Sequence, residues 1–217
     1  RRVVASHIDV TVGAGEVLCL LGPNGCGKTT LFKTLLGLIP PLAGEVLLNG
    51  VAIARQNRRD IARAIAYVPQ AHAPVFAYSV LDLVLMGRTA HLGPFSSPEA
   101  RDIEIAHAAL QSLGIDALAE ADATRISGGQ LQLALIARAL AQDARMIVMD
   151  EPTASLDFGN KLIVLERIRQ LAGRGFSIVL STHEPEQVFD LADRVALIEG
   201  GALAAIGPPA TTLTGER

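Results

Sequence analysis

The chain has 217 residues, enough for one sizeable α/β domain and short for two. Half of the residues are hydrophobic, 4% are aromatic, none is Trp and the net charge is −3, which together argue against a surface that stacks on or attracts nucleic acid. The longest stretch without Asp, Glu, Lys or Arg, Ala64 to Leu81, contains two prolines and several polar side chains, so a membrane-spanning helix is excluded there.

The first part of the chain predicts strands and a helix around a glycine-rich turn. It opens on an apparent strand, with neither Met nor a secretory signal at Arg1, so we expect the natural N-terminus to lie upstream. The later elements are predicted in this order: a strand at Val17–Leu21, the turn, a helix at Lys28–Leu38, a hairpin arm or edge strand at Gly44–Ile53 turning at Asn49-Gly50, and a strand at Ala64–Val68.

The second part predicts a helical insert and then further strands. The order is helices over Ser79–Ala141 with breaks at Gly87–Pro98 and Gly114, a strand at Met146–Met149, a helix from about Asn160 to Ala172, a strand at Ser177–Leu180, and a hairpin at Val195–Ile206 turning at Gly200-Gly201. Strands that alternate with helices indicate βαβ units, an α/β fold with a parallel sheet. We expect one domain over residues 1–217, with a helical subdomain at roughly 71–143.

A glycine-rich loop between the first strand and the first helix predicts a phosphate-binding site. It fits the pattern G-x-x-x-x-G-K-[ST] in the strand–loop–helix context that this motif requires, with residues Gly22, Pro23, Asn24, Gly25, Cys26, Gly27, Lys28 and Thr29. The loop's backbone N–H groups and the helix dipole attract anions. Lys28 would reach the β- and γ-phosphates, and the Thr29 hydroxyl would ligate Mg²⁺. A loop that only turns a corner would need neither Lys28 nor the helix.

The two cysteines, Cys19 and Cys26, are predicted to be a reduced pair and not a disulfide or metal site. We favour Cys26 as a neutral filler whose backbone N–H binds phosphate. The alternative hypothesis is a thiol of lowered pKa, because Cys26 lies near a helix start and Lys28.

An apolar strand that ends in two acids predicts a metal ligand and a base. Asp150 and Glu151 follow Met146–Met149 directly, at the strand end where open α/β sheets bind ligands. Asp150 would hold Mg²⁺ directly or through water, and Glu151 would polarise the attacking water. The alternative is an acidic pair that caps the turn before Pro152.

Two further residues lie at predicted strand ends. His183 follows the run Ser177–Thr182 and would sense the γ-phosphate, although a lone His is more often structural. Gln70 follows Val68-Pro69 and could offer its amide oxygen to Mg²⁺ or the lytic water. Without a family context Gln70 is nearly uninformative.

The segment Ile126-Ser127-Gly128-Gly129-Gln130 resembles the LSGGQ signature of ABC ATPases, with Ile for the first Leu. A Ser-Gly-Gly sequence at a helix start is a second anion site. Two phosphate-binding surfaces on one fold suggest a two-fold dimer that sandwiches two ATP molecules. The resemblance implies this homodimer, in which each signature caps the nucleotide held by the partner's loop.

The other motifs of that family match in order. Gln70 corresponds to the Q-loop, Asp150-Glu151 to Walker B, Ser155-Leu156-Asp157 to the D-loop and His183 to the switch histidine. The resemblance implies a P-loop NTPase of ABC type, with a RecA-like parallel core, an antiparallel β subdomain and a helical signature subdomain. It also implies the cofactors ATP and Mg²⁺ and these roles: catalysis by Glu151, His183 and Gln70; metal binding by Thr29, Gln70 and Asp150; nucleotide binding by Gly22 to Thr30 and by Ser127, Gly128, Gly129, Gln130 and Asp157.

Within the family, three segments resemble the ATPases of importers for iron-siderophores, haem and cobalamin. They are Leu156-Asp157-Phe158-Gly159-Asn160, Met86-Gly87-Arg88 and Gly93-Pro94-Phe95. This implies a permease partner contacted between Gln70 and Pro98, a substrate-binding protein, and a place on the cytoplasmic face of the membrane. The chain departs from the family at Leu131-Gln132-Leu133, where a charged residue is usual, and it begins after the position of the adenine-stacking aromatic residue.

Three alternatives are weighed against a transport ATPase. A GTPase would need Asn-Lys-x-Asp, and Asn160-Lys161-Leu162-Ile163 lacks the acid. A soluble ABC ATPase of DNA repair or translation usually carries coiled-coil insertions or two such domains. A regulatory module that binds ATP without turnover is disfavoured by the intact set of Lys28, Asp150, Glu151 and His183, and a phosphate-release assay separates the two.

Overall fold

The computed structural model describes residues 3–70, 76–93 and 95–213. Its strands β1 to β8 are Val17–Leu21, Leu47–Leu48, Val51–Ala52, Ile65–Val68, Met146–Met149, Ser177–Thr182, Arg194–Glu199 and Ala202–Gly207. Its helices α1 to α8 are Lys28–Leu35, Arg58–Ala64, Val80–Leu85, Ala100–Leu113, Gly128–Ala141, Phe158–Gly173, Pro185–Leu191 and Pro209–Thr212. Short 3₁₀ turns cover Ile53–Arg55, Met86–Ala90 and Asp116–Leu118.

Six strands form one sheet in the order β4-β5-β6-β1-β7-β8. All pairs are parallel except β7 with β8, which is an antiparallel hairpin. Because parallel strands end at the same edge, the residues that follow β1, β4, β5 and β6 meet there. A separate two-stranded antiparallel sheet joins β2 to β3 through Asn49 and Gly50, both at positive φ, as a tight hairpin turn requires.

The sheet is covered on both faces. Along β1, Cys19 and Leu21 belong to a large core that includes residues of α3, α4, α5 and α6, whereas Leu18 and Leu20 pack with Phe32 of α1 in a smaller one. Side chains alternate between the two faces of a strand, and a strand buried on both faces is apolar throughout. This explains why β1 and β5 are continuous apolar runs in the sequence.

A glycine and an arginine join the helical region to the core. A Cβ added at Gly87 would lie 2.1 Å from the carbonyl oxygen of Arg138 in α5. The next residue, Arg88, is buried and donates to Asp102 Oδ1 at 2.8 Å and to the carbonyl of Ala141 at 2.9 Å. The Arg88 hydrogen bond and a backbone N–H lower the pKa of Asp102. The Met86-Gly87-Arg88 segment therefore has a packing role against the end of α5.

Most predicted elements are confirmed, and five boundaries or elements need correction. The apparent opening strand is wrong, since residues 3–16 make one isolated bridge, Ser6 with Ala202. Helix α1 ends at Leu35, and α6 begins earlier than expected, at Phe158, because Asp157 caps it. Helices α2 and α7 were not predicted because both are short, seven residues each. Pro94 and residues 71–75 lie outside the described part of the chain. Among the described helices, none is long and apolar enough to cross a bilayer.

Candidate functional site

Three glycines shape the loop that follows β1. A Cβ at Gly22 would lie 2.5 Å from the carbonyl oxygen of Ile198, and one at Gly27 would lie 2.8 Å from a methyl of Val4. Gly25 and Gly27 have φ of 80° and 105°, a region that favours glycine. Gly27 caps α1 without any side-chain hydrogen bond, so the N–H groups of the first turn are left to bind an anion.

Lys28 is held under this loop. Its side chain is 5% exposed, and its ammonium donates to the carbonyls of Gly22 at 2.7 Å and Pro23 at 3.1 Å. The same nitrogen lies 3.4 Å from Glu151 Oε1. A buried ammonium is stable only when oxygen atoms surround it, and these oxygens point it toward the carboxyl edge of the sheet.

Asp150 is buried at the end of β5 and held by a hydroxyl from β6. Ser181 donates to Asp150 Oδ1 at 2.7 Å, and its oxygen accepts the Glu151 backbone N–H at 3.0 Å. The Tyr67 hydroxyl lies 3.5 Å from Asp150 Oδ2. Burial and then the nearby Asp150 charge raise the pKa of Tyr67 to about 12. Asp150 therefore keeps a fixed orientation with one oxygen only loosely engaged.

Glu151 lies between a lysine and a histidine. Besides Lys28, its carboxylate meets His183, with Oε2 3.6 Å from His183 Nδ1. Glu151 has a φ of 46°, a conformation that costs a non-glycine residue about 1–3 kcal/mol and is often found at functional sites. The structure thus brings together Lys28, Asp150, Glu151 and His183, the four residues on which the predicted chemistry depends.

Three further predicted ligands follow β1 or β4, at the same edge of the sheet. Thr29 and Thr30 are in the first turn of α1, and half-buried Gln70 stands two residues beyond β4. Among the described residues, no cluster of three or more His, Cys, Asp or Glu side chains could hold a metal. A Mg²⁺ that uses one carboxylate, a hydroxyl and substrate phosphates does not require such a cluster, so the donors present fit this ion.

The two cysteines are both free thiols. Cys19 is buried in β1, and burial raises the pKa of its thiol to about 12. Cys26 is half-buried in the loop, where its sulfur lies 3.0 Å from a Cβ position built at Gly22. The two thiols therefore lie in different surroundings, one inside the sheet and one in the loop.

The signature segment starts α5 and packs against the D-loop segment of the same chain. Ser127 caps the helix by accepting the Gln130 N–H, and Gln130 Oε1 accepts the Ser127 N–H at 2.9 Å. A Cβ at Gly129 would lie 2.2 Å from Asn160 Oδ1, and Asn160 is fixed in turn by Asp157. Hydrogen bonds from Asn160 also lower the pKa of Asp157. The described hydrogen bonds of this segment do not reach the loop after β1.

Several residues of the site were not predicted. Ser181 and Tyr67 hold Asp150, and a buried cluster around Gln187 joins the loop after β5 to the end of β6. The only available signal was the pair of hydroxyls, Ser181-Thr182, at the end of an otherwise apolar strand. Gln187 lies on the unpredicted helix α7, so nothing in the sequence pointed to it.

Comparison with known proteins assigns the family. The model of the ABC transporter family matches residues 5–154, more than half of the chain. The chain belongs to the ABC transporter family. An inward-facing structure of an ABC transporter assigned to the metal-chelate type is 39% identical, with a TM-score of 0.84 over 94% of this chain and 76% of that one. The predicted fold class is confirmed.

Two relatives in this ABC transporter family show the kind of subunit. The molybdate import ATP-binding protein MolC of Haemophilus influenzae is 40% identical over 193 residues, 88% of this chain and 71% of its own length. The hemin import ATP-binding protein HmuV of Nocardia farcinica is 37% identical over 214 residues, 98% of this chain and 73% of its own. This ABC protein is accordingly an ATP-binding subunit and a transport ATPase, as the sequence predicts.

Proposed function

We propose that this ABC ATPase binds Mg²⁺-ATP between the loop after β1 of one copy and the signature of a second copy, and hydrolyses it there. The observation that carries this proposal is the cluster at the carboxyl edge of the sheet, where Glu151 lies 3.4 Å from Lys28 and 3.6 Å from His183. The domain we assign to this role is residues 1–217, with residues 71–143 as its helical subdomain.

Binding of the triphosphate begins at Gly22–Thr30. Backbone N–H groups of the loop and the first turn of α1 donate to phosphate oxygens, and Lys28 exchanges its bonds to the Gly22 and Pro23 carbonyls for bonds to the β- and γ-phosphates. A charge-assisted bond to phosphate is stronger than one to a neutral carbonyl, so this exchange favours the nucleotide.

Thr29, Asp150 and Gln70 are the residues that we assign to Mg²⁺. When bound, this ion would neutralise charge on the phosphates and orient the γ-phosphate for in-line attack. Ser181 keeps Asp150 Oδ1 occupied, so Oδ2 is the oxygen we assign to the metal or to its water.

Glu151 is the general base in this mechanism. Its carboxylate accepts a proton from the water that attacks the γ-phosphate, while Lys28 and the loop N–H groups stabilise the charge that develops on phosphate oxygens. His183, at the end of the neighbouring strand, hydrogen-bonds the γ-phosphate and loses this bond when phosphate leaves. Because His183 also contacts Glu151, loss of the phosphate changes the surroundings of the general base.

The second copy completes the site through Ser127, Gly128, Gly129 and Gln130. Their helix N-terminus is an anion site, and a chain with two such sites forms a closed two-fold dimer when each faces the other's nucleotide. We place Asp157 at the same interface. It is exposed and caps α6 beside Asn160, which packs against Gly129.

The test is Glu151→Gln, with Glu166→Gln on the exposed face of α6 as the matched control. We expect Glu151→Gln to release phosphate at least 100-fold more slowly, as loss of a general base typically costs 10²–10⁴-fold, and to elute as a dimer with Mg²⁺-ATP but not with ADP. The control should match the wild-type protein. Normal turnover in Glu151→Gln would disprove the base, and a monomer with ATP would disprove the shared site. A wild-type protein that binds ATP and releases no phosphate would favour the regulatory module.

We propose that the transporter imports a metal-containing ligand, with an iron chelate or haem as the first candidate class. The named function of HmuV and the metal-chelate type of the solved transporter support it. Molybdate is the second candidate, because MolC is similarly close. A deletion strain distinguishes the two candidate ligands. Its growth on hemin or an iron chelate as sole iron source is compared with its requirement for molybdate. A substrate-binding protein completes such an importer.

We assign permease docking to a groove of about 370 Å³ between the core and the helical region. Leu38, Ile61 and Met86 give it apolar walls, and of its lining residues Met86 and Gly87 belong to the contact region predicted between Gln70 and Pro98. The docked subunit would sit at the cytoplasmic membrane surface. In a co-expressed complex with a permease, Met86→Asp should reduce co-purification, whereas Ile103→Asp, equally exposed on α4, should not. Equal losses would place the contact elsewhere.

A further inference from the structure

We propose that Gln187 is a positioning residue for hydrolysis, which holds His183 and Glu151 at their mutual distance. The proposal rests on the function proposed above. Gln187 lies on α7, is 4% exposed, and contacts neither of the two residues through the described hydrogen bonds. It acts instead on the backbone segments that carry them.

The side-chain amide of Gln187 joins two loops of the site. Its Oε1 accepts the Thr153 hydroxyl at 3.0 Å and the Thr182 hydroxyl at 3.1 Å. Thr153 stands two residues after Glu151, and Thr182 immediately precedes His183. A carbonyl oxygen has two lone pairs, and both are used here, one for each strand end.

The same amide also reaches the far side of His183. Its Nε2 donates to Glu184 Oε2 at 2.9 Å, and Glu184 Oε1 accepts Lys161 of α6 at 2.5 Å. The backbone N–H of Glu184 donates to Thr182 Oγ1 at 3.1 Å. The residues on both sides of His183 are therefore bound to the amide of Gln187 or to each other, and Lys161 lies one turn after Asp157.

The need for such support follows from the backbone at Glu151. Its φ of 46° is held against an energetic cost, by the Ser181 hydroxyl on one side and by the buried Thr153 on the other. A buried polar network in which every partner is satisfied gives a rigid arrangement. Hydrolysis requires this rigidity, because a misplacement of about 1 Å can slow a reaction about 100-fold.

The test is Gln187→Met, which keeps the length of the side chain and removes all three hydrogen bonds. Gln170→Met, on an exposed face of α6, is the matched control. We expect kcat for ATP to fall about 10-fold or more while KM stays within about twofold, since Lys28 and the loop are untouched. In a single-turnover assay in the His183→Ala background, the same change should cost clearly less than in the wild-type background, because only the link to Glu151 through Thr153 then remains to be lost.

A purely structural role predicts other results. It would lower the melting temperature and either leave kcat of the folded fraction unchanged or lower kcat by the same factor with and without His183; either kinetic result would overturn the proposal. A wild-type chain that releases no phosphate would overturn the proposed function as well. An active wild type with an equally active Gln187→Met would overturn only the role of Gln187.

Discussion

Replacing Ser181 with alanine would leave two groups of the site without their partner. The Ser181 hydroxyl donates to the buried Asp150 carboxylate at 2.7 Å and accepts the Glu151 N–H at 3.0 Å. A hydrogen bond to a charged group contributes about 1.5–3 kcal/mol, and one between neutral groups about 1 kcal/mol. We therefore expect Ser181→Ala to lower the free energy of unfolding by about 2–4 kcal/mol in the absence of nucleotide.

Urea denaturation followed by circular dichroism measures this loss as a lower midpoint at an unchanged m-value. The matched control is Ser177→Ala on the same strand, because that buried hydroxyl also makes two hydrogen bonds, to Gly15 and Gly13, but none to a charge. It should cost about 1–2 kcal/mol. If Ser181→Ala is no more destabilising than Ser177→Ala, the Asp150 carboxylate does not depend on the hydroxyl, and the assignment of Asp150 Oδ2 to the metal loses its support.

Two further predictions concern the junction between the helical region and the core. Gly87→Ala should destabilise the fold by at least about 2 kcal/mol, because the new methyl would overlap the backbone oxygen of Arg138. The control Gly173→Ala has nothing within 4 Å of the new methyl, and its free energy of unfolding in the same urea assay should stay within about 0.5 kcal/mol of the wild-type value. Equal urea midpoints for the two variants would contradict the packing at Gly87. Because Arg88 lowers the pKa of Asp102 below its usual 3.8, the carboxylate stabilises the fold above that pH. The stability gap between wild type and Asp102→Asn should therefore be full above about pH 5 and narrow as pH falls below 3.8 through the folded pKa. A difference in the free energy of unfolding that does not change with pH would count against the Arg88–Asp102 ion pair.

The sequence predicts those residues of the site that directly follow the strands of the parallel sheet. The loop after β1, the acids after β5 and His183 after β6 all follow apolar runs, and the parallel sheet brings such ends to one edge. In each case a residue of suitable chemistry follows the apolar run within a few positions, so the sequence alone predicts Lys28, Glu151 and His183 as site residues.

What could not be predicted depends on contacts between distant segments. Ser181 looks like a small residue in a buried strand until its hydroxyl meets Asp150, and Gln187 belongs to a helix too short to show a period. The strand wrongly predicted at the start of the chain has a similar cause. Whether a segment pairs with a sheet depends on tertiary contacts that local propensity does not report, and here the pairing is limited to the bridge of Ser6 to Ala202.

Helix α5 has one further consequence for how the ABC ATPase moves. Its 14 residues span about 21 Å, with Ser127 at one end and, at the other, Arg138 and Gln142 lining the groove beside Gly87. Because the helix is buried along most of its length and packed against Gly87 at one end, we expect it to move as a rigid unit. A rotation of the helix by about 10° about its groove end would displace Ser127 by about 4 Å. This displacement is longer than a hydrogen bond. In the proposed dimer, a small tilt of this helix at the groove would therefore make or break the phosphate contact that we assign to Ser127.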